Sequence, residues 1–168
     1  MKISILAFLI VAGFAGAQAQ RAKSVLLPSD EAKKLANQCS RPSPSDFTDT
    51  WQPTAEQIKK MESKLDDIAE LSVKSCCIVG ASVERPNDWY MQYAALVWKG
   101  KKTIYISGIS TQEPESSPCW DKDGIITDLH CASWKQRAAI VCDGGTQWGV
   151  IYDVETQKFS ELAMNGVA

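Results

Sequence analysis

His130 is the only histidine in the chain, and none of the six cysteines falls in a C-x-x-C pair. Zinc sites are built from closely spaced, paired Cys and His ligands, so the pattern argues against metal binding through these thiols. No G-x-S-x-G segment is present, and a nucleophile with its base and orienting group has no signature here. Charge of one sign is not in excess either. The 18 basic side chains less Lys2, which belongs to the N-terminal segment, leave 17 against 20 acidic ones, a net charge of −3. A weakly acidic chain without a basic run is a poor partner for nucleic acid or an anionic membrane surface. Beyond the N-terminus no apolar run approaches the roughly 20 residues that span a bilayer. Neither a membrane span, nor nucleic-acid binding, nor a cofactor or metal is expected.

The N-terminus is organised differently from the rest. Lys2 gives it a charged start, Ile3 to Phe14 form an apolar run broken only by Ser4 and Gly13, and Ala17-Gln18-Ala19 offers a small-x-small cleavage site. This order predicts a secretory signal peptide over residues 1–19, with Ala17 as the alternative last residue. The mature chain then begins at Gln20 and works in the periplasm or outside the cell. Residues 20–168 suffice for a single globular domain.

Export changes the meaning of the cysteines. Cys39, Cys76, Cys77, Cys119, Cys131 and Cys142 are even in number and bound for an oxidising compartment, which predicts three disulfides. Cys119 and Cys131 bracket a polar, turn-rich segment and pair as a local staple. Adjacent cysteines rarely bond each other, so Cys76 and Cys77 are expected to reach two different partners, leaving Cys39 and Cys142. Each bridge contributes about 2–4 kcal/mol, mainly by restricting the unfolded chain.

Local pattern gives the fold class. Ser29-Asp30 can cap a short helix through Glu31 to Asn37, and Ser40 to Trp51, rich in Pro, Ser and Asp, reads as a loop. Thr54-Ala55-Glu56-Gln57 is a capping box preceded by Pro53. Ile58, Met61, Leu65, Ile68 and Leu71 or Ser72 follow at three- and four-residue spacing and predict one helix with a single apolar stripe. From Trp89 the period shortens. Trp89 to Trp98 and Thr103 to Ser107 read as a β-hairpin across Lys99-Gly100-Lys101-Lys102. A polar excursion spans Gly108 to Gln136. Ala138 to Cys142 is apolar again and ends at the turn signal Asp143-Gly144-Gly145, after which Trp148 to Tyr152 and Lys158 to Met164 read as strands. The expected architecture is α+β: N-terminal helices packed on a four- or five-stranded antiparallel meander, stapled by disulfides. Open antiparallel sheets present unpaired edges, through which a dimer can form.

The C-terminal stretch resembles a known group. Cys142-Asp143-Gly144-Gly145, Trp148-Gly149-Val150, Tyr152-Asp153, Phe159, Leu162 and Asn165-Gly166-Val167-Ala168 resemble the ending of small exported bacterial proteins of uncharacterised function. Trp51-Gln52-Pro53, Gln92-Tyr93 and Ile104-Tyr105-Ile106 are similar to that group too. The resemblance rests on turns and apolar strand positions and carries no activity.

Several motifs invite a chemical reading. Gly144-Gly145 precedes a strand rather than a helix and so lacks the geometry that cradles phosphate. Gly149 within a strand marks a bulge or a close backbone approach. Asp121-Lys122-Asp123-Gly124 lacks the later ligands of a calcium loop and reads as a solvated turn. More telling is the excursion as a whole. It sets Glu113, Glu115, Asp121 and Asp123 beside Trp120, His130 and Trp134, on a segment held by Cys119 and Cys131. Aromatics among carboxylates on a fixed loop are how a rigid binding surface is built, and the acidic groups steer a basic partner. The competing arrangement buries both indoles against the sheet. The reading favoured is an exported protein that binds by occlusion, an inhibitor or immunity protein against a periplasm-acting toxin or cell-wall hydrolase. The alternative is a small secreted hydrolase using acidic residues or His130.

Overall fold

A computed structural model describes residues 23–111, 134–142 and 146–166. Within them the chain forms β1 (Ser24–Leu26), α1 (Ser29–Leu35), β2 (Asp49–Thr50), α2 (Ala55–Glu62), a 3-10 helix (Leu65–Glu70), a 3-10 turn (Pro86–Asp88), β3 (Tyr90–Trp98), β4 (Lys101–Ser110), β5 (Trp148–Asp153) and β6 (Lys158–Met164).

The capping box is in place. Gln57 N–H donates to Thr54 Oγ1 at 3.2 Å, and Thr54 N–H donates to Gln57 Oε1 at 2.8 Å, satisfying two orphan donors at the start of α2. The apolar stripe is buried at Ile58, Met61, Leu65 and Ile68, while its last position is not: Leu71 is half-buried and Ser72 exposed. The helix that carries it is not continuous, however. α2 stops at Ser63, whose hydroxyl donates to the Lys60 carbonyl at 2.7 Å, and the chain resumes as a 3-10 helix. A 3-10 turn aligns residues three apart, so Leu65 and Ile68 stay on one face despite the change of winding. In α1 the expected cap is displaced. Pro28 occupies the N-cap, and the Ser29 hydroxyl pairs instead with Thr50 Oγ1 at 2.5 Å.

β3, β4, β5 and β6 run as an antiparallel meander, as the alternation predicts. Lys99 and Gly100, both at positive φ (50° and 74°), close the two-residue β3–β4 turn that pairs Trp98 with Lys101. That combination matches the right-handed twist of the strands it joins. The sheet as a whole is mixed rather than wholly antiparallel and has six strands. β1 pairs parallel to β3 at Met91–Tyr93, while β2 pairs antiparallel to the same edge of β3 at Leu96 and Val97. Strands of three and two residues carry no readable period, and their place is set by the edge of β3. The apolar run 138–142 forms no strand. Side chains hold it instead: Ala138 N–H donates to Glu31 Oε2 at 2.8 Å, Ala139 N–H to Gln92 Oε1 at 2.7 Å, and Gln38 Nε2 to the Ala139 carbonyl at 3.1 Å.

Strand alternation splits the core in two. Met91, Tyr93, Ile104, Ile106, Val150 and Tyr152 share one cluster with Ile58, Met61, Leu65 and Ile68. Ala94, Leu96, Tyr105 and Ile151 share the other with Ala32, Leu35 and Ala36. Both faces of the central strands are therefore covered, which explains why Thr103 to Ser107 is buried at every position.

Candidate protein-interaction surface

The starts of β3 and β5 and the ends of β4 and β6 lie at one end of the sheet, because antiparallel neighbours alternate direction. Everything distinctive about this chain gathers there. The excursion leaves β4 after Ser110, which pairs with Tyr90, and returns at Trp134, whose ring meets Tyr90 edge-to-face with centroids 5.4 Å apart. Both feet of residues 112–133 thus stand on Tyr90. Trp134 is 7 % exposed, and its carbonyl accepts from Gln92 Nε2 at 2.6 Å, as does the Arg137 carbonyl. The one member of the expected binding set that is described is therefore a buried foot of the excursion rather than an exposed contact. Glu113, Glu115, Trp120, Asp121, Asp123 and His130 lie outside the described residues, as do Cys119, Cys131 and Asp143-Gly144-Gly145.

Two disulfides meet at the same end. Cys39 bonds Cys142 across 103 residues of chain. Cys76 bonds Cys77 directly, through a cis peptide, which corrects the expectation that adjacent cysteines reach separate partners. The reason is local: the loop that carries them stands off the core, its base closed by Val73 N–H to the Ala81 carbonyl at 2.8 Å and Gly80 N–H to the Val73 carbonyl at 2.9 Å. Ser40 links the two bridges. It follows Cys39, its carbonyl accepts from Gly166 N–H at 3.0 Å, and the same oxygen lies 3.7 Å from Cys77 Sγ. A Cβ on Gly166 would come within 2.9 Å of Cys77 Cβ, so only glycine admits this approach.

Beneath this floor sits a buried cation. Arg41, 5 % exposed, donates from Nε to the Tyr105 hydroxyl at 3.1 Å, from Nη2 to Ser107 Oγ at 2.8 Å, and from Nη1 to Asn165 Oδ1. No ion pair to Arg41 is found among the described residues. Burial pushes the Tyr105 phenol above its ordinary value near 10, and Arg41 pulls back only part of that shift, so the hydroxyl stays protonated. Gly149 makes the arrangement possible, since a Cβ there would lie 2.3 Å from the Tyr105 oxygen. The close approach expected at Gly149 is this one, and the β5–β6 register shifts between Gly149 and Ile151.

The surface above carries exposed apolar side chains among polar ones such as Lys74, Ser75 and Gln136. Ile78, Val79 and Ile140 are the exposed large hydrophobic residues among those described. The first two follow Cys77 directly and the third precedes Cys142 by two positions. Gln38 Oε1, Ser40 Oγ, Gln147 Oε1 and Trp148 Nε1 are buried side-chain polar atoms with no hydrogen-bond partner among the described residues. Away from this end, two shallow clefts are present. One of about 240 Å³ lies between α1 and β2, lined by Leu26, Ser29, Thr50 and Trp51, and one of about 370 Å³ lies beside Thr54, Glu56, Lys60 and Gln157. Among the described residues no three His, Cys, Asp or Glu side chains converge as metal ligands, and no helix is long and apolar enough to cross a membrane.

Sequence reasoning missed Arg41, Ile78 and Val79. Arg41 sits in a Pro/Ser-rich loop with no periodicity to flag burial. Gln92 was legible in principle, as a polar residue inside an apolar strand. No protein-family model, curated protein or solved structure matches this chain.

Proposed function

We propose that this is an exported protein that acts by occlusion, binding a basic periplasm-acting toxin or cell-wall hydrolase as an inhibitor or immunity protein. The observation that carries the reading is the convergence at one sheet end of exposed Ile78, Val79 and Ile140, two disulfides and both feet of the acidic, tryptophan-bearing excursion. A stable protein complex needs roughly 800 Å² from each partner, more than three aliphatic side chains offer, so the excursion has to supply the rest. The division of labour follows. Ile78, Val79 and Ile140 provide the desolvated centre, Trp120 a deeper anchor, and Glu113, Glu115, Asp121 and Asp123 the steering charge. The covalent and hydrogen-bonded frame under them lowers the ordering entropy lost on binding. The N-terminal helices packed on the sheet act as the rigid support of that frame.

The test uses the oxidised mature protein, titrated against basic periplasm-acting muramidases, amidases and nuclease toxins, including any captured from envelope extract. The expected result is stoichiometric loss of one enzyme's activity, weakened at least tenfold by Val79→Asp and by deletion of residues 119–131. Full activity of every enzyme at saturating protein, or inhibition that survives both changes, overturns the reading. Turnover of a wall substrate that is abolished by His130→Ala would move the assignment to a hydrolase.

A further inference from the structure

We propose that Cys76–Cys77 is a thiol–disulfide exchange site for a reducing dithiol, and that its reduction releases the loop 74–80 from the Ser40–Gly166 floor while Cys39–Cys142 stays oxidised. This goes beyond the occlusion reading and does not depend on it.

The two bridges differ in what the fold does for them. Cys39–Cys142 closes a loop of 103 residues. Whatever such a cross-link contributes to folding, folding returns to the cross-link, because the native structure holds the two sulfurs together. Cys76–Cys77 closes no loop between distant residues, so loop entropy gives it no share in holding the chain together and it receives no comparable protection. Access points the same way. Cys76, Cys77 and every other residue of 74–80 are exposed, and accessible bridges are those that exchange.

The sulfurs are also inequivalent. Cys77 Sγ lies 3.7 Å from the Ser40 carbonyl, and its side chain packs on Gly166, contacts that hinder approach to that sulfur. A thiolate of the incoming dithiol therefore attacks Cys76 Sγ. The Cys76–Cys77 bond breaks, Cys77 leaves as a thiolate and takes a proton, and a mixed disulfide remains on Cys76. The second thiol of the reductant, deprotonated, then closes on its own partner sulfur, and Cys76 leaves and is protonated. The protein gains two electrons and two protons, and the dithiol becomes its disulfide. In the cell a dithiol oxidoreductase supplies this reductant.

The mechanical consequence follows from how the loop is held. Its base at Val73 is buried and hydrogen-bonded to Ala81, so it stays put. Within the loop the Ile78 carbonyl accepts from Ala81 N–H at 3.1 Å, while Cys77 joins the tip to Ser40 and Gly166, and Ile78 and Val79 follow it in sequence. Opening the bridge lets Cys77 turn away from Gly166 and carries the two aliphatics with it.

The test equilibrates the mature protein with graded ratios of reduced to oxidised dithiothreitol, traps free thiols by alkylation, and reads tryptic peptides by mass. Because trypsin does not cut the Arg85–Pro86 bond, the peptide 75–99 carries both Cys76 and Cys77, apart from those with Cys39 and Cys142. Half-reduction of Cys76–Cys77 is expected at a ratio at least tenfold lower than that for Cys39–Cys142. Tryptic cleavage of the native protein after Lys74 should then rise severalfold with Cys39–Cys142 intact, and the Cys76→Ser/Cys77→Ser variant should show the faster cleavage without reductant. Coincident or reversed reduction midpoints overturn the exchange site. Unchanged cleavage after Lys74 overturns the release of the loop.

Discussion

Arg41 offers the sharpest check on the physical reasoning, because it is a buried guanidinium whose hydrogen-bond partners among the described residues are all neutral. Its hydrogen bonds run to Tyr105, Ser107 and Asn165, which belong to β4 and to the segment after β6. Truncation to alanine would remove three charge-assisted bonds, each worth about 1.5–3 kcal/mol. Against this stands relief of the desolvation penalty of the cation, itself several kcal/mol. The difference, with the cavity left behind, gives an expected net loss of about 3 kcal/mol for Arg41→Ala. That corresponds to a fall in Tm of roughly 6–12 °C for a domain of this size.

Urea unfolding followed by tryptophan fluorescence reads this directly, and a double-mutant cycle separates the network from packing. Arg41→Ala and Tyr105→Phe share one hydrogen bond, so their costs should fall short of additive by at least 0.5 kcal/mol. Arg41→Met together with Tyr105→Phe and Ser107→Ala replaces the cation and two of its three partners by apolar groups and should recover part of the loss. A cost below about 1 kcal/mol for Arg41→Ala, or strict additivity with Tyr105→Phe, would refute the claim that these bonds fix the floor of the surface.

Three further outcomes follow from the same coordinates. Gly149→Ala places a Cβ 2.3 Å from the Tyr105 oxygen, whose ring is held by Arg41, and should cost about 2–3 kcal/mol in urea unfolding. Gln157 sits at φ 57° in the β5–β6 turn, and its hydrogen bonds among the described residues are made by its backbone, the N–H donating to the Asp153 carbonyl at 2.8 Å and the carbonyl accepting from Lys64 Nζ, so Gln157→Gly should stabilise by about 0.5–1 kcal/mol in the same assay. Burial raises the Glu31 carboxyl, but Lys34 and the Ala138 N–H outweigh it; at Asp153 the Thr156 N–H lowers the pKa first and Lys101 adds to it. Both folded values lie below the ordinary 4.5 and 3.8, so their stabilisation is present above those values and is lost as pH falls through the lowered ones. Glu31→Gln and Asp153→Asn should therefore destabilise at pH 7 and converge on the parent stability as pH falls below the lowered pKa values, as read by thermal unfolding across pH.

From Thr54 onward the chain was legible where its signals are local. Alternation over Trp89–Trp98 and Thr103–Ser107, the Lys99-Gly100 turn and the Thr54–Gln57 capping box each act within a few residues, and each appears where the pattern puts it. The segment before Thr54 was less so. β1 and β2 exist because β3 offers an edge, and Arg41 is buried because Tyr105, Ser107 and Asn165 converge on it from 64 to 124 residues away. The stripe from Ile58 to Ile68 shows the intermediate case. Its spacing predicted which side chains are buried but not the change from α to 3-10 winding, since both windings present residues three apart on one face. Disulfide pairing is nonlocal in the same sense, and Cys39 with Cys142 is specified only once Ser40 meets Gly166.

That division bears on how a partner can engage this protein. An exposed, flat edge strand invites another chain to extend the sheet, and a dimer formed that way was one expectation from the sequence. The folded sheet offers little such edge. β1 and β2 share the outer edge of β3, and its other edge is bonded to β4. At the far side β6 pairs only with β5 among the described residues, but that register shifts between Gly149 and Ile151, and Glu161 takes a φ of 55° with its charge exposed. A bulge and an outward carboxylate in the middle of a seven-residue strand break the straight row of donors and acceptors that strand addition needs. With both edges blunted, the end of the sheet remains as the place where exposed apolar surface lies over a fixed frame. Contact by side chains at that end, rather than by backbone pairing along an edge, is the mode of association this architecture favours.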